Sequence, residues 1–271
     1  MSSNQYTYEE LLALSDRLRE PLFRTIIASL PFAPGSRGLD AGCGIGSHSL
    51  LLADRVTPGG TVTGCDHSPE LLEAAKAAAK SSPLGAHIAF DQEDIYALSY
   101  EDSSFNWIWS VDCIGYFASH NPALLAEVAR VLKPGGCAAL LIWSSQQILP
   151  GYPALEARLN ATTAGIAPFT PLMTPQSHHL RLLTRLRDAG LHNATAQTFV
   201  GDIHAPLDEQ TRSAVAALFW MRWKEARPEL SEEDWTEFER LCDPESPDFI
   251  ADDPGYYAFY TYTLFRSFKP E

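Results

Sequence analysis

Between an apolar, strand-like run and a helix-like run the chain reads Leu39-Asp40-Ala41-Gly42-Cys43-Gly44-Ile45-Gly46. Glycines at alternate positions let a backbone bend sharply and approach a ligand closely, with no Cβ in the way. A strand, a glycine turn and a helix in that order open a β–α–β unit, which points to a parallel sheet covered by helices. The dinucleotide pattern G-x-G-x-x-G rests a pyrophosphate on the helix N-terminus. Here the third glycine comes one residue early, Ser47 stands where that pattern has glycine, and Asp40 would repel a diphosphate. A carboxylate at that place suits a ligand with hydrogen-bond donors or positive charge. Asp66 ends a second apolar run, Thr61-Val62-Thr63-Gly64-Cys65, and is placed to accept hydrogen bonds from both hydroxyls of a ribose. The ligand implied has a ribose, a cationic end and no pyrophosphate.

Further motifs follow in order. Asp94-Ile95 is an acidic-apolar pair, Phe105-Asn106-Trp107-Ile108-Trp109-Ser110-Val111-Asp112 is an apolar run ending in a carboxylate, and Leu132-Lys133-Pro134-Gly135-Gly136 is a turn before another apolar run. With Asp40-x-Gly42-x-Gly44-x-Gly46 and Asp66, these residues resemble the class I S-adenosylmethionine-dependent methyltransferases, the broad group that includes ubiquinone and menaquinone biosynthesis and type 11 methyltransferases. The resemblance covers about Ser36 to Trp143. It implies S-adenosyl-L-methionine as cofactor, bound through Asp40, Gly42, Cys43, Gly44, Gly46, Asp66, His67, Asp94, Ile95 and Ser110. In that reading Asp40 and the glycines hold the methionine end and Asp66 the ribose. Asp94 meets the adenine amino group while Ile95 packs on the ring. The chain departs from the family at Asn106, where Asp is usual, and at Tyr116, where many relatives have histidine.

The fold implied is α/β: a doubly wound, seven-stranded, mostly parallel Rossmann-like sheet with the last strand antiparallel and a helical insertion. The residues agree. Tyr8 to Leu30 repeats leucine and isoleucine near helical spacing, and Ser68-Pro69-Glu70 is a good helix start because serine caps and proline suits the first turn. Strand patterns lie at Gly38–Asp40, Thr61–Cys65, His87–Phe90, Trp107–Val111, Cys137–Trp143, Ala194–Val200 and Tyr256–Phe268. Helical patterns lie at Ser47–Val56, Pro122–Leu132, Gln176–Ala189, Leu207–Arg227 and Ser231–Leu241. The proline-rich stretch Gln146 to Pro175 reads as a long excursion at the carboxyl end of the sheet, where substrate pockets are built. We expect residues 1–35 to form a helical cap and 36–145 the cofactor-binding core. Residues 146–271 would supply the rest of the sheet with a lid and helical insertion around the substrate.

Several function classes are disfavoured. A net charge of −14 over 271 residues is opposite to the basic face that tracks nucleic acid. Asn121-Pro122-Ala123 replaces the Asn/Asp-Pro-Pro-Tyr/Phe motif expected of an enzyme that flips bases. No membrane-spanning run, secretory signal or paired-cysteine metal pattern is visible, so we expect a cytoplasmic monomer or homodimer without metal, acting on a small molecule. The resemblance implies in-line methyl transfer to an O, N, S or C atom. A catalytically silent cofactor-binding protein and, less favoured, an RNA methyltransferase are the alternatives.

Three residues are candidates for the transfer itself. Asp112 follows the fourth strand and either contacts cofactor or substrate or simply forms the loop. Tyr116 offers a hydroxyl or packs as an aromatic. His204, after the sixth strand beside Asp202, could act as base toward a hydroxyl. Asp94 could equally cap the turn that follows it, and His67 either flanks the adenine or is a solvated loop residue. His178 and His179, adjacent on a helix, would point to different sides and read as surface or capping residues. Trp220 and Trp223 share a helical face with Val215, Ala216 and Phe219, read as packing against the sheet or a dimer partner.

Overall fold

The computed structural model describes residues 6–115, 122–166 and 174–271. In chain order the main elements are α1 (Tyr8–Ala28), β1 (Arg37–Ala41), α2 (Ser47–Val56), β2 (Thr61–Asp66), α3 (Pro69–Lys80), β3 (Ile88–Gln92), β4 (Phe105–Val111), α4 (Pro122–Val131), β5 (Leu132–Gln147), α5 (Pro153–Asn160), α6 (Leu182–Asp188), β6 (His192–His204), α7 (Glu209–Trp223), α8 (Glu232–Cys242) and β7 (Tyr257–Phe268). The strands form one sheet in the order β3-β2-β1-β4-β5-β7-β6. The first five are parallel, with registers such as Asp40↔Gly64 and Asp40↔Trp109 across β1.

β7 runs the other way. Gly135 N donates to Lys269 O at 3.0 Å, whereas Ser144 Oγ donates to Thr261 O at 3.3 Å, so partners descend along β7 as they ascend along β5. On its other side Thr198 meets Thr263 at 3.0 Å and Ala205 N donates to Tyr256 O at 2.8 Å. The reversed last strand expected from the family pattern is therefore present.

The chain divides into two compact units. One comprises the described residues of Phe23–Trp143, Pro171–Phe199 and Tyr262–Glu271. Its core is the apolar filling of the parallel strands, with Leu39, Ala41, Val62, Ile108 and Leu140 buried. Each is flanked by helices because a parallel sheet must be covered on both faces. α3 begins as read from the sequence: Ser68 Oγ accepts from Leu71 N at 3.2 Å and Pro69 fills the first turn. Where β1 starts, an ideal Cβ on Gly38 would lie 2.1 Å from the Trp107 indole, whose ring stacks on Phe32 at 4.3 Å and whose Nε1 donates to Ser36 Oγ at 2.9 Å. Gly38 is glycine because a tryptophan lies across it. Asn106, the departure from the family pattern, accepts from Arg37 N at 3.0 Å and so ties β4 to the first residue of β1.

The segment read as one helix from Gln176 to Ala189 is instead two 3-10 turns, Pro175–Ser177 and His179–Arg181, followed by the shorter α6. The buried positions Ser177, His179 and Leu182 are spaced by two and then three, which a 3.6-residue period cannot serve with one face. His178 caps as expected, accepting from Leu180 N at 3.2 Å, but His179 is buried and not a surface residue.

The other unit comprises the described residues of Met1–Leu22, Ser144–Thr170 and Val200–Thr261. α1 opens with a capping box in which Thr7 N donates to Glu10 Oε2 at 2.7 Å and Glu10 N donates to Thr7 Oγ1 at 3.2 Å. The stretch from Gln146 is more ordered than a loop reading suggests, because it contains α5. Glu156 of that helix is buried and its carboxylate accepts from Ile148 N at 2.9 Å and Leu149 N at 3.1 Å, turning the chain at the end of β5. Burial pushes its carboxyl pKa up against those hydrogen bonds. The tryptophan face of α7 packs on α8: Trp220 and Trp223 lie edge-on to Phe238, with ring centroids at 5.8 and 6.2 Å. β6 extends further than the sequence pattern suggested and includes His204 as its exposed last residue. Among the described residues no helix is long and apolar enough to cross a membrane.

Candidate functional site

The glycine loop lies where β1 meets α2. Gly42 N and Cys43 N both donate to Cys65 O, at 2.8 and 2.9 Å, which pins the loop to the end of β2. Gly42 and Gly46 have φ of 77° and 79°, in the region that favours glycine. An ideal Cβ on Gly42 would also stand 2.5 Å from Cys113 Sγ, so the loop is pressed against the turn after β4. Gly46 is the N-cap of α2 and no side chain caps that helix, so its electropositive end faces the loop with backbone N–H groups suited to a carboxylate.

Two buried carboxylates stand beside this loop. Asp40 is 1% exposed, and its Oδ2 accepts from Ser49 Oγ at 2.6 Å. Asp66, at the end of β2, accepts from Gly44 N at 2.9 Å with Oδ2 and from Ser68 N at 3.0 Å with Oδ1. It thereby fixes both the loop and the start of α3 while lone pairs on both oxygens remain. His67 is exposed, its Nδ1 3.3 Å from Asp66 Oδ1. Asp94 is exposed and accepts from Tyr96 N at 2.9 Å, the turn-capping geometry foreseen as its plainer role, and Ile95 beside it is half-buried. Burial, reinforced by Asp40 and Asp66, pushes the Cys43 thiol far above its usual range and that of Cys113 to about 12. Such shifts favour the protonated thiols, which suits small packing residues beside the loop.

At the carboxyl end of β4, Ser110 is buried, donates to Ala41 O at 2.8 Å and accepts from Ile114 N at 3.1 Å, so its hydroxyl joins β4 to β1 and to the turn beyond. Asp112 has φ 48°, and its carboxylate accepts from Trp143 N at 2.7 Å and from the Tyr262 hydroxyl at 2.8 Å. It therefore ties the end of β4 to Trp143 within β5 and to Tyr262 in the middle of β7. Tyr262 also lies edge-on to Phe23 and Trp143, with centroids at 5.1 and 5.4 Å. Tyr116 lies outside the described residues. His204 ends β6 in the other unit.

The structure thus brings Asp40, Gly42, Cys43, Gly44, Gly46, Asp66 and Ser110 onto the adjacent strand ends of β2, β1 and β4. Sequence reasoning missed Trp143 and Tyr262 as the partners that shape Asp112. The alternating aromatics of β7 were read as a strand without showing which ring would face a carboxylate. The donor set suits the expected cofactor: buried carboxylates repel a diphosphate and favour hydroxyls and a cation, while an uncapped helix end receives a carboxylate.

Comparisons with known proteins agree with that chemistry. The methyltransferase domain family matches residues 39–136. The trans-aconitate 2-methyltransferase of Deinococcus radiodurans is 30% identical over 260 residues, covering 92% of each chain. Methyltransferase GfsG of Streptomyces halstedii is 33% identical over 132 residues, but this chain spans only 45% of its length. Among solved structures, the phosphoethanolamine N-methyltransferase 2 of Haemonchus contortus with S-adenosyl-L-methionine superposes with a TM-score of 0.57 at 17% identity, over 99% of this chain and 59% of that one. The YcgJ protein of Bacillus gives 0.55 at 18% identity, over 93% and 99%. These likenesses under a quarter identity establish the fold, and the full-length relative establishes the family. The chain belongs to the class I S-adenosylmethionine-dependent methyltransferases, an enzyme family with S-adenosylmethionine as its cofactor.

Proposed function

We propose that this methyltransferase acts on a small organic acid and delivers the methyl group to a carboxylate oxygen. The observation that carries the reading is the relative named for trans-aconitate, which matches nearly the whole length of this chain, including the segments outside the cofactor core. Local charge supports it. Between Thr174 and Gly190, Arg181, Arg185 and Arg187 stand against Asp188 alone, three positive charges less one negative, in a chain of net charge −14. That segment leads from the carboxyl edge of the sheet, where β1 and β4 present the cofactor loop and Asp112.

Bound S-adenosylmethionine supplies a methyl group on a sulfonium, an electrophile that needs no activation. In this reading Asp66 accepts from the ribose hydroxyls and Asp40 lies behind the methionine end. The amino end of α2 receives the methionine carboxylate, and Asp94 with Ile95 borders the adenine. A carboxylate acceptor is already ionised near neutrality, so its oxygen forms the new C–O bond as the C–S bond breaks, the electron pair going to sulfur. No proton is released and no base is required. The protein's contribution is alignment, which can supply about 7–11 kcal/mol in well-oriented systems. Asp112 acts as a positioning residue that joins the end of β4 to β5 and β7 beside the acceptor.

The test uses labelled S-adenosylmethionine with a mixture of small di- and tricarboxylic acids that includes trans-aconitate. Alkali-labile label in an acid is the expected result. Label confined to amines, phenols or thiols of a metabolite extract would overturn the acid acceptor, and no label in any fraction would leave a cofactor-binding protein.

A further inference from the structure

α6 returns the chain from the carboxyl edge of the sheet to the amino end of β6, so the residues just before it stand at the edge where Asp112 and Gly115 lie. Leu182, wholly buried, opens the helix. An ideal Cβ on Gly115 would lie 3.0 Å from Leu182 Cδ2 and 3.1 Å from Ile142 Cδ1, which seats the start of α6 against the turn after β4 and against β5. His179 comes three residues earlier, in the 3-10 turn His179–Arg181 that runs into α6, and residues three apart in such a turn share a face. Leu180, next to it, is 58% exposed, whereas His179 is 9% exposed. His179 is therefore on the buried side of this turn, three residues before the buried Leu182.

Among the described residues neither ring nitrogen of His179 has a hydrogen-bond partner. A buried polar atom left unpaired costs about 1–3 kcal/mol, and this ring has two. His178 is stacked on it with centroids 4.3 Å apart and its own Nδ1 accepts from Leu180 N, so the His179 ring is held in place from the side. A fixed, inward, unsatisfied imidazole at this edge is a vacant donor and acceptor.

We propose that His179 is the polar anchor of the methyl acceptor, donating a ring N–H to an oxygen of the small organic acid and holding it at the carboxyl edge. The assignment rests on reading that edge as the transfer site. Burial, with His178 adding to it, pushes the His179 pKa down to about 4, so the ring is neutral near physiological pH. One nitrogen then donates to a carboxylate oxygen, and the other can accept from a hydroxyl of the same molecule or from water. His179 keeps its proton throughout; only the C–S and C–O bonds change.

The experiment compares wild type, His179→Leu and His179→Gln, using whichever acid of the di- and tricarboxylic mixture the wild type labels. For His179→Leu the acceptor KM should rise at least about tenfold, the loss expected for one hydrogen bond to a charged group. Affinity for S-adenosylhomocysteine should be unchanged and Tm equal or higher, because an apolar side chain removes the unpaired atoms. His179→Gln, which keeps a donor, should recover part of the KM. An unchanged acceptor KM in His179→Leu overturns the assignment, as does a KM change matched by an equal loss of S-adenosylhomocysteine affinity. Should His179→Leu fail to fold, an unchanged KM in His179→Gln together with equal KM in His179→Ala overturns it. If the wild type labels no acid, the reading of the site fails and takes this assignment with it.

Discussion

Asp66 does two things with one carboxylate. It accepts backbone N–H groups from Gly44 and Ser68 and keeps lone pairs for a ligand. Asp66→Ala should weaken S-adenosylhomocysteine binding by about 1–3 kcal/mol, read by calorimetry, because charge-assisted hydrogen bonds are lost and the loop is released; equal affinity would mean the ribose is held elsewhere. Asp112 differs. Its recorded partners are the Trp143 N–H and the Tyr262 hydroxyl, and its backbone is left-handed. Asp112→Ala should destabilise the protein by about 2–4 kcal/mol in urea unfolding, since two donors lose their acceptor and alanine tolerates that φ poorly. Asp112→Asn, which tolerates the conformation and keeps one acceptor oxygen, should cost less; an alanine variant as stable as wild type would remove Asp112 from its structural role. The residue type and position of Asp112 were legible in the sequence, but not what it bonds, because its partners come from β5 and from the far end of the chain.

At the scale of elements, the first four strands and the helices between them follow their sequence patterns closely. Each strand there is short, carries apolar residues such as Leu39, Val62, Phe90 and Ile108, and is bounded by turn residues, and such short-range signals survive without tertiary information. The Gln176–Ala189 helix did not survive, because burial of Ser177 and His179 imposed a spacing that a regular helix cannot hold. β6 overran its pattern for the opposite reason: it pairs with β7 along its length, and backbone pairing extends a strand past its apolar residues. The contact between β1 and β4 makes a specific test possible. Gly38→Ala would drive a methyl group into the Trp107 ring. A loss of roughly 1–3 kcal/mol or more is expected from overpacking, measured as a lowered denaturation midpoint at constant slope. Pairing it with Trp107→Phe should restore part of the loss, and full stability of the single variant would show that the indole moves aside freely.

For the whole molecule, the acidic balance and the cofactor motifs were sufficient to choose among function classes, whereas the acceptor side was not written in any motif. The residues proposed to shape it, Asp112, His179 and Tyr262, are scattered over much of the chain. Strand order carries a further consequence. β7 is the last element in sequence, yet it lies between β5 and β6 and supplies β6 with its neighbour in the sheet. During synthesis on the ribosome β6 therefore emerges with nowhere to dock and must wait, its backbone groups facing water, until the residues of β7 follow it out. Chain ends commonly tolerate trimming, but a chain stopped at Gly255 should be insoluble or retain only the five parallel strands β1–β5, with a bare β5 edge open to aggregation. Supplying Tyr256–Glu271 as a separate peptide should rescue solubility in part. A truncated chain that stays soluble with full secondary structure by circular dichroism would mean that β6 finds β5 on its own. Folding of this enzyme is in that sense timed by the emergence of β7.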